Sequence, residues 1–282
     1  RKKNRIRTIQ STLEIEGNTL SEAQITALLD NKRIVAPKKD ILEIQNAIRV
    51  YDQLHSFDPS NVEDLQRAHR IFMQGLIKDA GLIRSKNVGI IKGDQIHHIA
   101  PGGDMVKGLI QDLFTYLKES EDMVLIKSCV FHYEFEFIHP FMDGNGRMGR
   151  LWQTLILMRG YPVFEFLPVE RIIKENQSEY YRRLSESDKI GHSTPFIQFM
   201  LQVILQALDN ALAVQNITLT SQDRIAYFKD HIKNQLFKRK DYLHYFKQIS
   251  TATASRDLKW AVNQRILNKS GDKRLTIYHY CS

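Results

Sequence analysis

Cysteine is scarce in this chain. Two cysteines occur among 282 residues, Cys129 within an apolar run and Cys281 next to the last position. Two such residues exclude a disulfide framework and fit a reducing compartment. Internal repeats and low-complexity tracts are absent too, which excludes a repeat array and a compositionally biased, disordered chain.

Long apolar runs are also missing from the sequence. No segment approaches the length of a membrane span, and the basic start Arg-Lys-Lys-Asn-Arg-Ile-Arg is not followed by the apolar region of a signal peptide. We therefore expect no membrane partner and a cytoplasmic location. The composition, 43% hydrophobic and 26% charged, is typical of a soluble globular protein with one large domain or two.

Positive charge is concentrated at the end of the chain. The net charge is +8, and residues 221–282 contain 13 Lys and Arg against 5 Asp and Glu, so residues 1–220 are balanced. The polar stretch 215–222 lies between the two parts. We expect it to be a linker between domains.

Hydrophobic periodicity predicts a mainly α-helical protein. In three stretches apolar residues recur every three or four positions, the spacing that places them on one face of a helix. A fourth helix is predicted to begin after the run Asp-Pro-Ser-Asn at 58–61. The four inward faces are Leu109, Ile110, Leu113, Phe114 and Leu117; Ile126, Val130, Tyr133 and Phe137; Phe196, Phe199, Met200, Val203, Ile204, Ala207 and Leu208; and Leu65, Ala68, His69 and Phe72.

Residues 139–150 hold more reactive chemistry than any other stretch. They read His-Pro-Phe-Met-Asp-Gly-Asn-Gly-Arg-Met-Gly-Arg, with a base in His139 and a metal-seeking carboxylate in Asp143. The Gly-Asn-Gly turn lets the backbone fold tightly and expose N–H groups at the start of a helix, where an anion is favoured. Arg147 and Arg150 lie one helical turn apart. Two guanidinium groups beside an anion site favour a polyphosphate ligand.

This run resembles the Fic motif, His-Pro-Phe-x-Asp/Glu-Gly-Asn-Gly-Arg-x-x-Arg, at every fixed position. The resemblance implies a helical Fic fold and an enzyme that transfers AMP from ATP to a Ser, Thr or Tyr hydroxyl of a target protein. His139 would be the general base, and Asp143 would hold Mg²⁺. The α- and β-phosphates would be held by Asn145 and the backbone of Gly144 and Gly146, the β-phosphate by Arg147 and the γ-phosphate by Arg150.

A second stretch, residues 11–18, is similar to the family's inhibitory motif Ser/Thr-x-x-x-Glu-Gly/Asn. It reads Ser-Thr-Leu-Glu-Ile-Glu-Gly-Asn, with Thr12, Glu16 and Gly17 in the fixed places. The similarity implies that Glu16 pairs with Arg150 and occupies the donors that should clamp the γ-phosphate. Two alternatives stay open. Glu16 is a surface acid before a Gly helix cap, or it positions a water that removes AMP from a modified protein.

A hairpin is predicted between these motifs. Residues 81–88 resemble the family's Gly-x-x-Arg-x-x-x-Val segment, and two β-prone runs follow around the turn Lys-Gly-Asp at 92–94. In the family this flap docks the target by strand addition. The alternative is an ordinary surface hairpin. Ala-Pro-Gly-Gly at 100–103 departs from the family's proline-rich turn, so the sequence does not determine the shape of the target groove. The implied docking residues are Val88, Gly89, Ile90, Ile96, His97 and His98.

The spacing of His132, Glu136 and His139 is one that can bind zinc. Pro140 marks a turn after the last of these, and the run is similar to the family's His-x-x-Phe-x-x-Ile-His. A packing role for His132 is therefore favoured over a zinc site.

Residues 176–181 resemble the family's Asn-x-x-x-Tyr-Tyr segment. The resemblance implies that Tyr180 and Tyr181 border the adenine of the nucleotide. The alternative is a capped surface helix.

The basic tail resembles a winged helix. Two helical stretches, a Ser/Thr-capped helix, and then strand, Gly turn and strand are predicted in that order. Binding of DNA would use the capped helix toward the groove and the wing toward phosphates. The alternative is a basic domain that docks on the catalytic domain, on a partner or on a second copy in a homo-oligomer. The helical stretches are 225–236 and 242–246, the groove residues Thr253, Ser255, Arg256 and Lys259, and the wing 269–274.

These patterns predict three parts. An N-terminal segment with an inhibitory helix spans 1–35, a Fic catalytic domain (a helical bundle with a small β-hairpin flap) spans 36–215, and a small α+β winged-helix domain spans 221–282. The predicted function is that of a protein adenylyltransferase, an AMPylator, held inactive by Glu16. The alternatives are a DNA-binding regulator whose Fic domain senses nucleotide, and a de-AMPylase that uses Glu16.

Overall fold

The structure is a computed structural model that describes residues 2–92, 95–215, 219–232, 235–247, 249–272 and 276–281. The side chains of 89–92, 95–99, 214, 215 and 230 lie outside this description. The chain forms two compact units, Arg1–Ala211 and Leu212–Ser282.

The first unit is built mainly of helices and carries one antiparallel hairpin. Two 3₁₀ turns, Leu54–Ser56 and Pro162–Phe166, join helices. The hairpin strands are β1 (Gly89–Lys92) and β2 (Gln95–Ile99), and their register shifts between Ile90 and Ile91. The helices are α1 (Lys2–Ile15), α2 (Glu22–Leu29), α3 (Lys38–Asp52), α4 (Val62–Phe72), α5 (Val106–Glu119), α6 (Val124–Ile138), α7 (Asn145–Gly160), α8 (Val169–Glu175), α9 (Gln177–Ile190) and α10 (Thr194–Gln215), which runs past the unit boundary.

Helices α6 and α7 form the centre of this unit, with apolar clusters on both sides of the pair. The predicted apolar stripe of α6 covers fewer residues than the helix buries, and most of its members are only partly buried. Tyr133 is buried, but Ile126, Val130 and Phe137 are only half-buried, while Phe131 and other residues outside the stripe are fully covered. A helix packed on several sides loses the one-sided pattern that sequence periodicity detects.

Helix α1 is part of the same core. Ile6, Ile9 and Leu13 are at most 5% exposed and belong to the cluster that also contains residues of α3 and α7. Residues 1–35 therefore contribute to the core of the first unit. The predicted helix after 58–61 is confirmed as α4, whose N-cap Asn61 accepts a hydrogen bond from the Glu63 amide.

One helix among the described residues, Thr194–Ala213 within α10, is long and apolar enough to cross a membrane by length and composition. The expectation that no run approaches that length is therefore wrong. About a third of this window, 33%, is buried, and Phe196, Met200 and Val203 lie in the apolar cluster beside α6 and α9. Helices at the core of globular proteins meet the same criterion.

The second unit contains three helices and a two-stranded antiparallel sheet among its described residues. Its core includes Phe228, Tyr242 and Leu258. A buried carboxylate joins the first of its helices to the third. Asp257 accepts hydrogen bonds from Arg224 at 2.6 and 2.9 Å, because the guanidinium fork matches the two carboxylate oxygens. The elements are α11 (Ser221–Ile232), α12 (Arg239–Tyr245), α13 (Thr251–Asn263), β3 (Leu267–Ser270) and β4 (Ile277–Tyr280).

The order helix, helix, helix, strand, strand is the order expected from the sequence, with shifted boundaries. Helix α11 begins at Ser221, before the predicted residue 225, because Thr220 and Asp223 exchange hydrogen bonds that cap it. Within the predicted wing, Lys273 and Arg274 lie outside the described residues. The winged-helix assignment stays a prediction.

Candidate functional site

The candidate site lies where the loop after α6 enters α7. Gly144 caps α7 in the left-handed region, with φ +85°. A Cβ at Gly144 would come within 2.7 Å of the sulfur of Met73, so glycine is needed for both conformation and space. Asn145 closes the loop, because its side chain accepts from the Phe141 amide at 2.9 Å and donates to the Phe141 carbonyl at 2.8 Å. The Asn145 side chain is thus used within the loop, and the first-turn amides of a helix have no hydrogen-bond partner within the helix itself.

His139 lies at the C-cap of α6 in the left-handed region, with φ +50°. Its amide donates to the Phe135 carbonyl at 3.0 Å, and its ring is half-buried. The ring Nδ1 lies 3.4 Å from the Glu136 carbonyl oxygen. Because that carbonyl can only accept, Nδ1 carries the proton and Nε2 keeps the lone pair that a general base needs.

His69 of α4 supports the loop from below. The Gly81 amide donates to its Nδ1 at 2.8 Å, so Nε2 carries the proton and donates to the Asp143 carbonyl at 2.9 Å. Burial lowers the pKa of His69 to about 4, so the ring is neutral at physiological pH. It stacks on Phe141 at a centroid distance of 3.6 Å. His69 therefore fixes the backbone from which Asp143 projects.

Arg147 is buried, at 4% exposure, and lies between two carboxylates. Its Nη1 is 3.3 Å from Oε1 of Glu43, and its Nη2 is 3.1 Å from Oδ1 of Asp143. Glu43 of α3 also accepts a hydrogen bond from the Asn18 amide group at 2.8 Å. Glu43 thus contacts both the first motif arginine and the segment that follows the inhibitory motif.

Arg150 is held by the predicted inhibitory residues. Its Nε donates to the Thr12 hydroxyl at 2.9 Å and its Nη2 to the Thr12 carbonyl at 3.0 Å. The same Nη2 donates to Oε1 of Glu16 at 2.6 Å, with the Arg150 side chain 1% exposed and that of Glu16 28%. Burial alone would lower the pKa of Arg150, but the charge and hydrogen bond of Glu16 raise it above its ordinary value.

The end of α1 presents Glu16 to Arg150. The Asn18 amide donates to the Leu13 carbonyl and the Gly17 amide to the Glu14 carbonyl, a Schellman cap with Gly17 at φ +90°. Glu16 is therefore both the residue before a glycine cap and the partner of Arg150. A Cβ at Gly146 would lie 2.7 Å from Oε1 of Glu16, so glycine at this position leaves room for the carboxylate.

The electrostatics of the site are those of an anion site filled by the protein's own acids. The N-terminus of α7 carries the positive end of the helix dipole, and its first two turns add Arg147 and Arg150. Glu16, Glu43 and Asp143 balance this charge. Groups with the charge and spacing to replace them are the phosphates of a nucleotide.

Tyr180 lies in the core and is 1% exposed, which the prediction of an adenine contact did not anticipate. Its hydroxyl is 3.0 Å from Nε2 of His132, whose Nδ1 is 2.6 Å from the Gln153 amide oxygen. His132 is fully buried and its pKa falls to about 3, so it is a neutral packing residue. Tyr181 is half-buried and lines a surface cavity of about 660 Å³, so of the two tyrosines it is the one open to a ligand.

Asp143 is open to solvent, with a 59% exposed side chain. Among the described residues, no group of three or more His, Cys, Asp or Glu side chains is placed to hold a metal. One exposed carboxylate at an anion site is the donor set with which Mg²⁺ binds together with phosphates and water. The residues therefore fit a magnesium ion that arrives with a nucleotide.

The hairpin predicted as a flap is present as β1 and β2. Val88 is half-buried. The side chains of Gly89, Ile90, Ile96, His97 and His98 lie outside the described part of the chain, and so does the turn at 93–94. Their docking role stays a prediction.

Three residues that support the site were not singled out as site residues from the sequence. Glu43 reads as an acid on an amphipathic helix and His69 as one position of an inward stripe. Arg84 appears in a family-like segment without an assigned role. Each contacts the motif from more than 50 positions away in the chain. Periodicity and local motifs do not report such contacts.

Comparisons with known proteins find a family whose model matches the region of this site. The sequence model described as "Fic/DOC family" matches residues 59–157. A crystal structure of a Fic family protein from Desulfovibrio desulfuricans G20 is 37% identical with a TM-score of 0.74, and the match covers 100% of this chain and 87% of that one.

Curated relatives match over part of their length. "Protein adenylyltransferase fic-1" of Caenorhabditis briggsae is 30% identical over 206 residues, 68% of this chain and 38% of that protein. "Protein adenylyltransferase Fic" of Culex quinquefasciatus is 30% identical over 220 residues, 72% of this chain and 41% of that protein. The chain thus spans about two fifths of the length of these relatives.

Proposed function

We propose, because this chain belongs to the Fic/DOC family, that it is a protein adenylyltransferase that moves AMP from ATP to a hydroxyl side chain of a target protein. One observation carries the proposal. Two buried arginines at the N-terminus of α7 are neutralised by the protein's own carboxylates, and His139 precedes them on the same loop. The site therefore combines a polyphosphate cradle with a base.

In this reaction the target hydroxyl oxygen forms a bond to the α-phosphorus, and the bond from that phosphorus to the bridging oxygen of the β-phosphate breaks. His139 takes the hydroxyl proton at Nε2, and pyrophosphate leaves with the electron pair. Arg147 and Arg150 hold the β- and γ-phosphates, so the departing charge is stabilised in place. Mg²⁺ held by Asp143 would neutralise phosphate charge when bound.

The test is incubation of the protein and a lysate with α-labelled ATP and Mg²⁺, followed by mass spectrometry of labelled proteins. The expected result is AMP on Ser, Thr or Tyr of the chain itself or of a target. γ-Labelled ATP is the matched control, and it should leave no label on the protein itself and no more label in the lysate than the lysate gives without the protein. Added label from the γ-phosphate, or no label from either ATP in both wild type and Glu16→Gly, would overturn the proposal.

Autoinhibition by Glu16 is the finer proposal. Its carboxylate uses the Nη2 donor of Arg150 that the γ-phosphate needs, at 2.6 Å. Glu43 occupies Arg147 in the same way. ATP must displace these carboxylates to align, so the wild-type protein should transfer AMP slowly.

Removal of AMP is the alternative activity for the same carboxylate. With a 28% exposed side chain, Glu16 can contact water while it is held by Arg150. Incubation of an AMP-modified target with wild type and with Glu16→Gln separates the two. Release of AMP by wild type alone would favour removal over transfer.

A second candidate function belongs to the second unit. Five cations line a cavity of about 670 Å³ between α12, α13 and the β3–β4 pair, and none of its lining residues is acidic. Ser255 and Lys259, two of the predicted groove residues, take part, and Arg239 donates to the Ser255 hydroxyl at 2.9 Å. This surface suits the phosphate backbone of DNA. The cations are Lys238, Arg239, Lys240, Lys259 and Lys269.

The other two predicted groove residues do not line this cavity. Thr253 contacts the Ser250 hydroxyl at the start of α13, and Arg256 donates to Thr253 at 3.3 Å.

Titration of fluorescent duplex DNA at two salt concentrations tests whether this basic surface binds DNA. Lys259→Ala and Lys269→Ala should each weaken binding and reduce its salt dependence, while Lys247→Ala, outside the cavity, should not. Weak DNA binding that is the same in every variant would favour the alternative that residues 221–282 form a docking domain. In that case size-exclusion chromatography should show a different oligomeric state for the protein without residues 221–282.

A further inference from the structure

Arg84 connects the base of the hairpin to the catalytic loop. It is 4% exposed, and within the described part of the chain its guanidinium donates to four backbone carbonyl oxygens. Nε donates to His139 at 2.7 Å, and Nη2 donates to Ile138 at 2.9 Å. On the hairpin side, Nη1 donates to Lys86 at 2.7 Å and Nη2 to Pro101 at 2.9 Å.

The backbone of Arg84 adds a fifth hydrogen bond, which is its third to the catalytic loop. Its amide donates to the Pro140 carbonyl at 2.9 Å. Three consecutive carbonyls of the loop, at residues 138–140, are therefore held by one residue. These are the carbonyls around the left-handed turn at His139, where a non-glycine residue is strained unless its surroundings hold it.

The hairpin stems are closed independently of Arg84. The Asn87 side chain accepts from the Gly103 amide at 2.9 Å. A Cβ at Gly103 would collide with the carbonyl group of Ser85, so only glycine allows this close approach of the two stems. Arg84 therefore bonds to two stems that are also joined to each other by the contact between Asn87 and Gly103.

Among the described residues, Arg84 makes no ion pair with a carboxylate. Burial lowers the pKa of its guanidinium, and no acid offsets this. A buried arginine without a counter-charge is costly to keep. Its five N–H donors in a planar fork match carbonyls in different directions, which the single ammonium group of lysine does not.

We infer that Arg84 is a positioning residue for AMP transfer, which sets the distance and angle between the hairpin that docks the target and the base His139. The inference rests on the proposed function, since it takes the hairpin as the docking strand. In this role Arg84 makes no contact with ATP. Loss of Arg84 should therefore slow the chemical step and spare nucleotide binding.

The test uses full-length Arg84→Lys and Arg84→Gln in a Glu16→Gly background, with single-turnover labelling of the chain by α-labelled ATP. We expect the rate at saturating ATP to fall about 10²-fold, as a displacement of about 1 Å costs. The half-saturating ATP concentration should stay within about threefold. Lysine should not rescue, because it cannot reach four carbonyls. Arg67→Gln, which also loses an arginine-to-carbonyl bond but at Ser56, is the matched control and should keep the rate.

Hydrogen exchange of the nucleotide-free protein gives a readout that does not need the reaction. Amides at 85–88 and at residues 138 and 139 should exchange faster in the Arg84 variants, and their exchange should be unchanged in Arg67→Gln. If the Glu16→Gly protein transfers no AMP, the proposed function fails. Amide exchange still shows whether Arg84 holds the catalytic loop to the hairpin. Asn87→Ala removes the bond between the two stems and leaves Arg84 intact, and it should lower the AMP-transfer rate about tenfold. This variant tests the same coupling if the Arg84 variants do not fold.

Three outcomes would overturn the inference. One is a parental rate in Arg84→Lys. Another is a rise in half-saturating ATP with an unchanged saturating rate, which would make Arg84 part of nucleotide binding. The third is unchanged amide exchange at residues 138 and 139.

Discussion

Replacement of Glu16 by glycine tests the link between the N-terminal helix and the nucleotide site. The change removes the carboxylate 2.6 Å from Nη2 of Arg150 and leaves the two bonds from Arg150 to Thr12 in place. Glu16 is the C-cap residue, outside the body of α1, so the helix itself should persist. The variant therefore separates loss of the inhibitory charge from loss of the helix.

The structure sets the size of the effect. A hydrogen bond between charged groups contributes about 1.5–3 kcal/mol, and each 1.4 kcal/mol is a factor of ten. If ATP must displace Glu16 to use Arg150, its removal should raise productive occupancy by about 10- to 150-fold at subsaturating ATP. Stability without nucleotide should fall by about 1–3 kcal/mol, below the range for a fully buried pair, since the Glu16 side chain is 28% exposed.

Two measurements check these numbers. Single-turnover labelling with α-labelled ATP at several ATP concentrations gives the rate, and urea unfolding without nucleotide gives the stability. Glu14→Gly is the matched control. It removes a carboxylate from the same helix end, but Glu14 faces Lys174 at 3.6 Å and not Arg150.

Glu16→Gly should transfer AMP faster than wild type, and Glu14→Gly should keep the wild-type transfer rate. Equal rates in wild type and Glu16→Gly, with ATP bound in both, would refute competition at Arg150. A similar gain in both variants would trace the effect to a looser α1 and not to the carboxylate.

Three further predictions concern other buried or catalytic groups. His139→Ala in the Glu16→Gly background should lose about 10²–10⁴ in transfer rate, the range for one general base, with ATP affinity nearly unchanged by calorimetry. Because burial raises the pKa of Glu170 to about 7, the folded protein keeps a proton that the unfolded chain releases near pH 4.5. Stability should therefore fall by up to about 3 kcal/mol as pH rises through this window, and Glu170→Gln should remove that slope in urea unfolding. Glu43→Gln should lower stability without nucleotide by about 1–3 kcal/mol, with part restored by ATP, whose phosphate can replace Glu43 at Arg147.

Each of these has a control and a contrary result. For His139→Ala, a retained rate would show that another group takes the proton. For Glu170, the exposed Glu175→Gln should keep the wild-type slope, and an equal slope in Glu170→Gln would contradict a buried protonated acid. For Glu43, the exposed Glu63→Gln should leave stability unchanged. A destabilised Glu43→Gln that ATP does not rescue would make Glu43 purely structural.

Local sequence was sufficient for the parts of the site that are close in the chain. The run 139–150 contains the base, the turn and both arginines because they occupy one loop and the first turns of one helix. The Thr12–Glu16 motif was matched to Arg150 by resemblance, and the structure brings all three together. Helix α4 followed from its cap and its stripe, which depend on residues within one helix.

Long-range contacts set the rest. The Asn145 side chain was expected at the phosphates but bonds to the Phe141 backbone, a choice made by loop closure. Tyr180 was expected beside adenine but is buried on His132, because α9 packs its inner face against α6. Glu43 looks like a surface acid until the burial of Arg147 is known. In each case tertiary packing, which a local pattern does not contain, decided the role.

The proposed inhibition and the stability of the fold depend on the same contacts in this site. A buried arginine needs a counter-charge, and two at the positive end of a helix need more than one. In this structure Glu16 and Glu43 supply that charge, so under the proposed inhibition the same contacts that hold the fold together would exclude the phosphates. An anion that reaches Arg150 should then stabilise Glu16→Gly more than wild type. Thermal unfolding in phosphate and in chloride at equal ionic strength tests this, since stabilisation by an anion that binds only the folded state rises with the logarithm of its free concentration. Equal stabilisation of both proteins by phosphate would show that Arg150 does not depend on Glu16 for its counter-charge.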